Sequence, residues 1–224
     1  MPGRLAAQDE GAPIRWWQGV LAAGGVSALM LLDHPVQRYA QDNRTGGSND
    51  FSMVARHFGQ PEVYGSVAAG LVLGGLAAGD SRVARAGGRV ALALALSGSA
   101  VTAGKVILGR PRPSQSLDAD GFHPFSGQQA MPSGHTAMAF ALATSLSDEI
   151  HRTWATVGLY TLAGATGWSR INDNQHWLSD VAAGALVGIT SAKLASGRWR
   201  LFQLHPPSVL LTPHTMGVGW HASF

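Results

Sequence analysis

The sequence predicts an all-α fold, a bundle of six transmembrane helices with its active site at the outer, membrane-facing edge of the bundle. Three observations carry this expectation. Six apolar stretches rich in Ala, Leu and Gly are each bounded by charges, Pro or polar turns, a makeup that favours helix over strand. Only 13% of the 224 residues are charged, about half the usual share of a soluble domain. The unusual polar residues, finally, concentrate in three short segments rather than scattering along the chain.

The six stretches run from Gly19 to Leu32, Val63 to Gly79, Val90 to Leu108, Thr136 to Leu146, Trp154 to Trp168 and Val181 to Ala195. With flanking residues they predict helices over roughly 17–33, 62–79, 89–108, 134–150, 153–168 and 177–196 of one domain, residues 1–200. Only the third approaches the ~20 residues that span a bilayer unaided. The others reach that length if Trp16, Trp17, Tyr64, Trp177 and Trp199 lie at the interfaces. Two small-residue pairs, Gly70 with Gly74 and Gly184 with Gly188, mark expected close helix contacts. Asp9 and Glu10 before the first stretch, and Asp33-His34-Pro35 after it, argue for a retained helix rather than a cleaved signal peptide.

If all six stretches span, the loops alternate sides. One side carries Arg4, Arg15, Arg82, Arg85, Arg89, Arg152, Arg198 and Arg200, with Lys193 nearby. The other carries Arg38, Arg44, Arg56 and the three polar segments. With those segments set aside, the positive-inside rule puts both termini in the cytoplasm. The polar segments then face the periplasm from a bacterial inner membrane.

Composition removes several classes of function. There are no cysteines, which excludes disulfides, thiolate catalysis and Cys-ligated metals. The net charge of +3 comes without a Lys/Arg run, so no nucleic-acid partner is expected. Residues 201–224 form a tail of different character, with Pro206, Pro207 and Pro213 and a Gly/aromatic-rich end that reads as a short strand or a loose segment. His205, His214 and His221 lie there without metal-ligand spacing.

The three polar segments are Lys105 through Arg110-Pro111-Arg112-Pro113, then Pro132-Ser133-Gly134-His135, then Ser169-Arg170 with His176 and Asp180. A lysine near the end of an apolar helix is costly unless it snorkels or meets an anion. Arg112 and Arg170 offer planar forks suited to phosphate oxygens, although the doubled Arg-Pro leaves Arg110 as an alternative on residue chemistry alone. Ser133 fits a helix N-cap, and Gly134 lets backbone amides approach an anion at the helix start. His176 and Asp180 are four residues apart. On a helix they share a face, so the carboxylate can fix the tautomer of a nucleophilic imidazole. His135 stands as the acid that protonates the leaving oxygen. Cations and a helix N-terminus together suit a phosphoryl group.

Lys105, six residues, Arg112-Pro113; Pro132-Ser133-Gly134-His135; and Ser169-Arg170, five residues, His176, three residues, Asp180 resemble the three-part signature of the type 2 phosphatidic acid phosphatase superfamily. Order and spacings both match. The chain around the signature is similar to the family's six-helix membrane branch. The resemblance implies a phosphatase that needs no metal or other cofactor and works through a phosphohistidine on His176. Asp180 would be its partner and His135 the acid, with Lys105, Arg112, Ser133, Gly134 and Arg170 holding phosphate. It also favours Arg112 over Arg110. Met131 departs from the aromatic expected before Pro132.

The expected substrate is a lipid phosphate or diphosphate: undecaprenyl diphosphate, phosphatidylglycerol phosphate, phosphatidic acid or a lipid A phosphate. Two other readings share the signature. One is a soluble acid phosphatase or vanadate-dependent haloperoxidase relative; the other is a non-enzymatic lipid-binding or scaffold protein.

Overall fold

An apolar helix with no buried residue opens the bundle, and it is stable only where its surroundings are as apolar as itself. This is α1 (Trp16–Met30), which exposes Trp16, Val20 and Leu21. In the computed structural model, residues 11–201, 208–212 and 215–219 are described. After α1 come α2 (Asp33–Asp42), α3 (Gly46–Ala55) and a 3-10 turn (Arg56–Gly59). Five longer helices follow: α4 (Pro61–Ala77), α5 (Ser81–Leu108), α6 (Gly134–Ile150), α7 (Thr153–Asn172) and α8 (Leu178–Ala195).

The helix boundaries have local causes. Pro61 occupies the first position of α4, where its missing N–H costs nothing. Asp80 caps α5, its carboxylate accepting from the amides of Arg82 at 2.9 Å and Val83 at 3.2 Å. Gly109 ends α5 in the left-handed region, φ 56°. A Cβ there would lie 1.8 Å from the His123 carbonyl oxygen, so only glycine serves.

α6 lies at the centre, against α5, α7 and α8. Its Ala137, Ala139, Ala141, Leu142 and Ala143 are fully buried. Small side chains let neighbouring backbones approach closely. A Cβ on Gly188 of α8 would fall 2.3 Å from the Ala137 oxygen, and one on Gly184 2.5 Å from the Ser133 oxygen. The Gly184/Gly188 pair thus meets α6 as expected. Gly70 and Gly74 do not fulfil theirs, since the space beyond each is open. The α4–α5 contact runs instead through Gly75, 2.4 Å from the Ala84 nitrogen by the same construction, and Gly87, 2.6 Å from that of Val72. Helical phase decides this, because Gly75 is one residue on from Gly74 and therefore turned by about 100°.

Six helices match the predicted stretches, and α2, α3 and the 3-10 turn lie between the first two of them. Their polarity hides them from an apolar-stretch criterion. Two small sheets qualify the all-α expectation: β1 (Ala12–Ile14) runs parallel to β2 (Trp199–Leu201), and β3 (Ser208–Thr212) antiparallel to β4 (Thr215–Gly219). The predicted tail therefore holds a hairpin, while His205, His214, His221 and Arg4 lie outside the described residues. α5 and α8 are each long and apolar enough to cross a membrane, and α1 with α2, bent by 50°, qualify together as a broken span.

One end of the bundle is tied by ion pairs. Arg89 meets Glu149 at 2.6 Å, while Lys193 and Arg198 share Asp148 at 2.7 and 3.4 Å. The three predicted polar segments lie at the opposite end of α5, α6 and α8.

Gly188→Ala is expected to cost about 1–3 kcal/mol by forcing α8 away from α6. Gly74→Ala, with open space before it, should leave stability unchanged or slightly raised. Thermal unfolding of both variants in detergent checks the pair, and equal losses would contradict the packing described.

Candidate active site

Arg110 is the residue from which the site is built. Its side chain is fully buried between two carboxylates, Asp33 and Asp180, each at 2.6 Å and each fully buried. The guanidinium also donates to Ser179 Oγ at 2.7 Å and, through Nε, to the Ala119 carbonyl at 2.8 Å. Asp33 in turn accepts from the Ser179 amide at 2.8 Å and the Ser179 hydroxyl at 2.6 Å. Three distant parts of the chain are joined here: the start of α2, the loop after α5 and the first turn of α8.

Asp180 is the third helical residue of α8 and folds back on the helix start. One oxygen takes Arg110; the other accepts the Trp177 amide at 2.9 Å. His176 is not on the helix, as the four-residue spacing had implied, but precedes it, and Trp177 is the N-cap. The capping turn, rather than a shared helix face, brings imidazole and carboxylate together. His176 Nδ1 lies 3.5 Å from Asp180 Oδ2, beyond a good hydrogen bond, and has no other partner among the described residues.

The segment before α8 is held from both sides. The amides of Gln175 and His176 donate to the Arg170 carbonyl at 3.0 and 3.2 Å. Trp177 is wholly buried and donates its indole N–H to the Pro111 carbonyl at 3.0 Å. It therefore anchors the site instead of lying at a membrane interface, because its one polar atom finds a partner inside. Burial pushes the His176 imidazole below its ordinary value of 6.5. Asp180 opposes this, while the nearby cations Arg112 and Lys105 reinforce it. The ring is thus held toward its neutral form.

Ser133 stands at the N-cap of α6, but its hydroxyl makes no cap bond and accepts instead from Thr136 Oγ1 at 2.9 Å. Its amide donates to the Asp180 carbonyl at 3.0 Å, tying α6 to α8. The helix start keeps its amide donors free of that side chain, which suits an incoming anion. Lys105 Nζ approaches this same helix start, 3.9 Å from where a Gly134 Cβ would be. A cation beside the positive end of a helix is unfavourable until an anion sits between them.

An open cleft of about 550 Å³ lies at the same end of the bundle. Arg112, His135 and Arg170 line it, and so do Arg44, Asn49, Arg56, Asp173 and Gln175. Arg112 donates to Gln175 Oε1 at 2.5 Å. Arg170 is held by Asp173, whose other oxygen accepts the Ser52 hydroxyl of α3 at 2.6 Å. Lys105, Ser133, Gly134, His176 and Asp180 lie outside the cleft lining. The two Arg-Pro copies have parted, Arg112 to the cleft and Arg110 to the buried ion network.

Sequence reasoning missed Asp33, Arg110 and Ser179 as supports, and Arg44, Arg56, Asp173 and Gln175 as lining. Asp33 directly after an apolar run was the one visible signal, since a carboxylate at such a depth needs a partner.

Residues 86–201 match the PAP2 superfamily. The chain belongs to that superfamily. A lipid A 1-phosphatase of Porphyromonas gingivalis is 46% identical over 111 residues, 49% of this chain and 22% of that protein. The chain therefore spans about a fifth of the length of that curated relative. Two crystal structures share the fold. Aquifex aeolicus LpxE has 24% identity and a TM-score of 0.57 over 74% of this chain and 94% of that one. A transmembrane PAP2-type phosphatidylglycerolphosphate phosphatase of Bacillus subtilis has 20% identity and a TM-score of 0.59 over 81% and 92%. With its exposed apolar helices, this PAP2 chain is a membrane protein.

Asp33→Ala is expected to destabilise the protein by about 3–5 kcal/mol, the usual consequence of removing one partner from a buried ion network. Thermal unfolding in detergent measures it; a loss under about 0.5 kcal/mol would contradict the central place given to Arg110.

Proposed function

We propose that the chain is a membrane phosphatase that hydrolyses a lipid phosphate or diphosphate through a phosphohistidine intermediate on His176. The observation that carries this reading is a neutral, buried His176 beside Asp180, behind a cleft lined by Arg112, His135 and Arg170. His176 attacks phosphorus through Nε2, the ring nitrogen turned away from Asp180. The P–O bond to the lipid breaks as His135 gives its proton to the leaving oxygen. His135 then takes a proton from water, which attacks the phosphohistidine and releases inorganic phosphate. Lys105, Arg112, Arg170 and the α6 amides at Ser133 and Gly134 stabilise the charge on the transferring group. The residues described supply a nucleophile, an acid and cations from side chains alone, so the proposed steps call on no metal.

Among the candidate substrates, a lipid A phosphate draws support from the 46% identity to a lipid A 1-phosphatase over 111 residues. A soluble phosphatase or haloperoxidase relative is disfavoured by α1, which has no buried residue to hold it in water. A scaffold role is disfavoured by the retention of every signature residue.

The same proposal places six spans in a bacterial inner membrane with the cleft facing the periplasm. Arg82, Arg85, Arg89, Arg152 and Arg198 sit at or next to the ion-paired end, and by the positive-inside rule that end is cytoplasmic. A cysteine-free chain allows a direct check. Ser126→Cys, exposed in the loop after α5, should react with an impermeant maleimide in spheroplasts, and Ala78→Cys only after lysis. The reverse pattern would invert the topology.

For the activity, detergent-purified protein should release phosphate from one lipid class in the presence of EDTA. His176→Ala should lose at least about 1,000-fold of that rate, as removal of a covalent nucleophile does. Release that EDTA abolishes, or that survives the substitution, would overturn the mechanism.

A further inference from the structure

The cleft holds more positive charge than one phosphoryl group requires. In the proposed mechanism Arg112, Arg170, Lys105 and the α6 helix start already serve a single phosphate. Arg44 and Arg56 add two more guanidiniums to the lining, from the connection after α2 and from the 3-10 turn. Both lie outside the matched residues 86–201 and outside the signature.

Neither has a carboxylate partner among the described residues. Arg44 Nε donates to the neutral Asn49 Oδ1 at 2.6 Å. Arg56 Nε is shielded from solvent and has no hydrogen-bond partner. The carboxylate on the lining, Asp173, is already occupied by Arg170 and Ser52. Guanidiniums gathered on one wall repel each other, and an anion between them relieves that repulsion.

The wall that carries them is firmly seated. A Cβ on Gly59, at the end of the 3-10 turn, would lie 2.4 Å from the His135 oxygen, so the turn rests directly on the first turn of α6. Thr166 of α7 donates its hydroxyl to the Ala55 carbonyl at 2.7 Å. Asn49 also accepts from Asn172 of α7 at 3.2 Å, which fixes the partner of Arg44. Arg44 and Arg56 are thus held relative to His135 and Arg170 before any ligand arrives.

We propose that Arg44 and Arg56 form a second anion subsite next to the scissile phosphoryl position, so that the substrate carries two neighbouring anionic groups, of which a diphosphate is the simplest. The inference rests on the phosphatase reading and narrows its substrate class. These residues act on specificity: they hold the group that is not attacked.

Binding separates this proposal from the activity itself. The full-length protein in detergent is titrated with methylenediphosphonate, which resists hydrolysis, and with orthophosphate. The wild type should bind the diphosphonate at least about tenfold tighter, the scale of one added charge-assisted contact. Arg44→Gln with Arg56→Gln should erase that preference and leave orthophosphate affinity unchanged, while Arg44→Lys with Arg56→Lys should retain most of it. No preference in the wild type, or two orthophosphates bound with none, would overturn the subsite, as would equal weakening of both ligands in the Gln variant. Failure of the phosphatase reading would look different: no phosphate release from any lipid, with the diphosphonate preference intact.

Discussion

A guanidinium with no access to water must be matched by negative charge, and Arg110 meets two carboxylates at 2.6 Å each. Much of the site follows from that constraint. Asp33 has to reach inward, which ends the apolar run of α1 and starts α2. Asp180 has to present one oxygen to Arg110, which orients the other toward the Trp177 amide and His176. The doubled Arg-Pro thereby divides into a buried support and a group on the cleft. Such an arrangement gives little net stability over an apolar core, but loss of one member leaves an uncompensated charge. Its value lies in fixing where Asp180 points.

A second constraint is steric. The signature segments sit at the ends of α5, α6, α7 and α8, and they converge only if those helices pack closely. Alanines along α6 and glycines on α8 make this possible, and the Ser133 amide bonded to the Asp180 carbonyl sets the relative height of the two helices. α2, α3 and the 3-10 turn then close over the same end, where Ser52 and Asp173 fix Arg170. Of the candidate groups, His135 and Arg170 are carried on packed helices, which hold geometry better than loops do. The neutral His176 and the cations around the cleft both depend on this low-exposure setting.

Much of this was legible in the sequence, and the remainder was hidden for physical reasons. Apolar stretches located six helices because an Ala/Leu/Gly-rich run leaves a strong compositional mark. The signature spacings marked His135, His176, Asp180, Arg112 and Arg170 as one constellation, and three of these line or border a common cleft. Gly70 and Gly74 misled, since a glycine pair states nothing about helical phase. Trp177 misled as well, because an indole at a helix start can serve as a membrane anchor or as a buried one, and only the position of Pro111 decides. Arg44 and Arg56 were visible as charges, but their return to the cleft depends on α3 packing against α7, a contact distant in sequence. Arg110 was visible only as a duplicate.

The central claim is that His176, set by Asp180, becomes covalently phosphorylated. Rapid quenching of the enzyme with a phosphate-labelled lipid substrate, followed by peptide mapping, tests it most directly. The account predicts a label on His176 that is stable to alkali and labile to acid, absent from His176→Ala. Turnover without any such label, or a label on another residue, would contradict it.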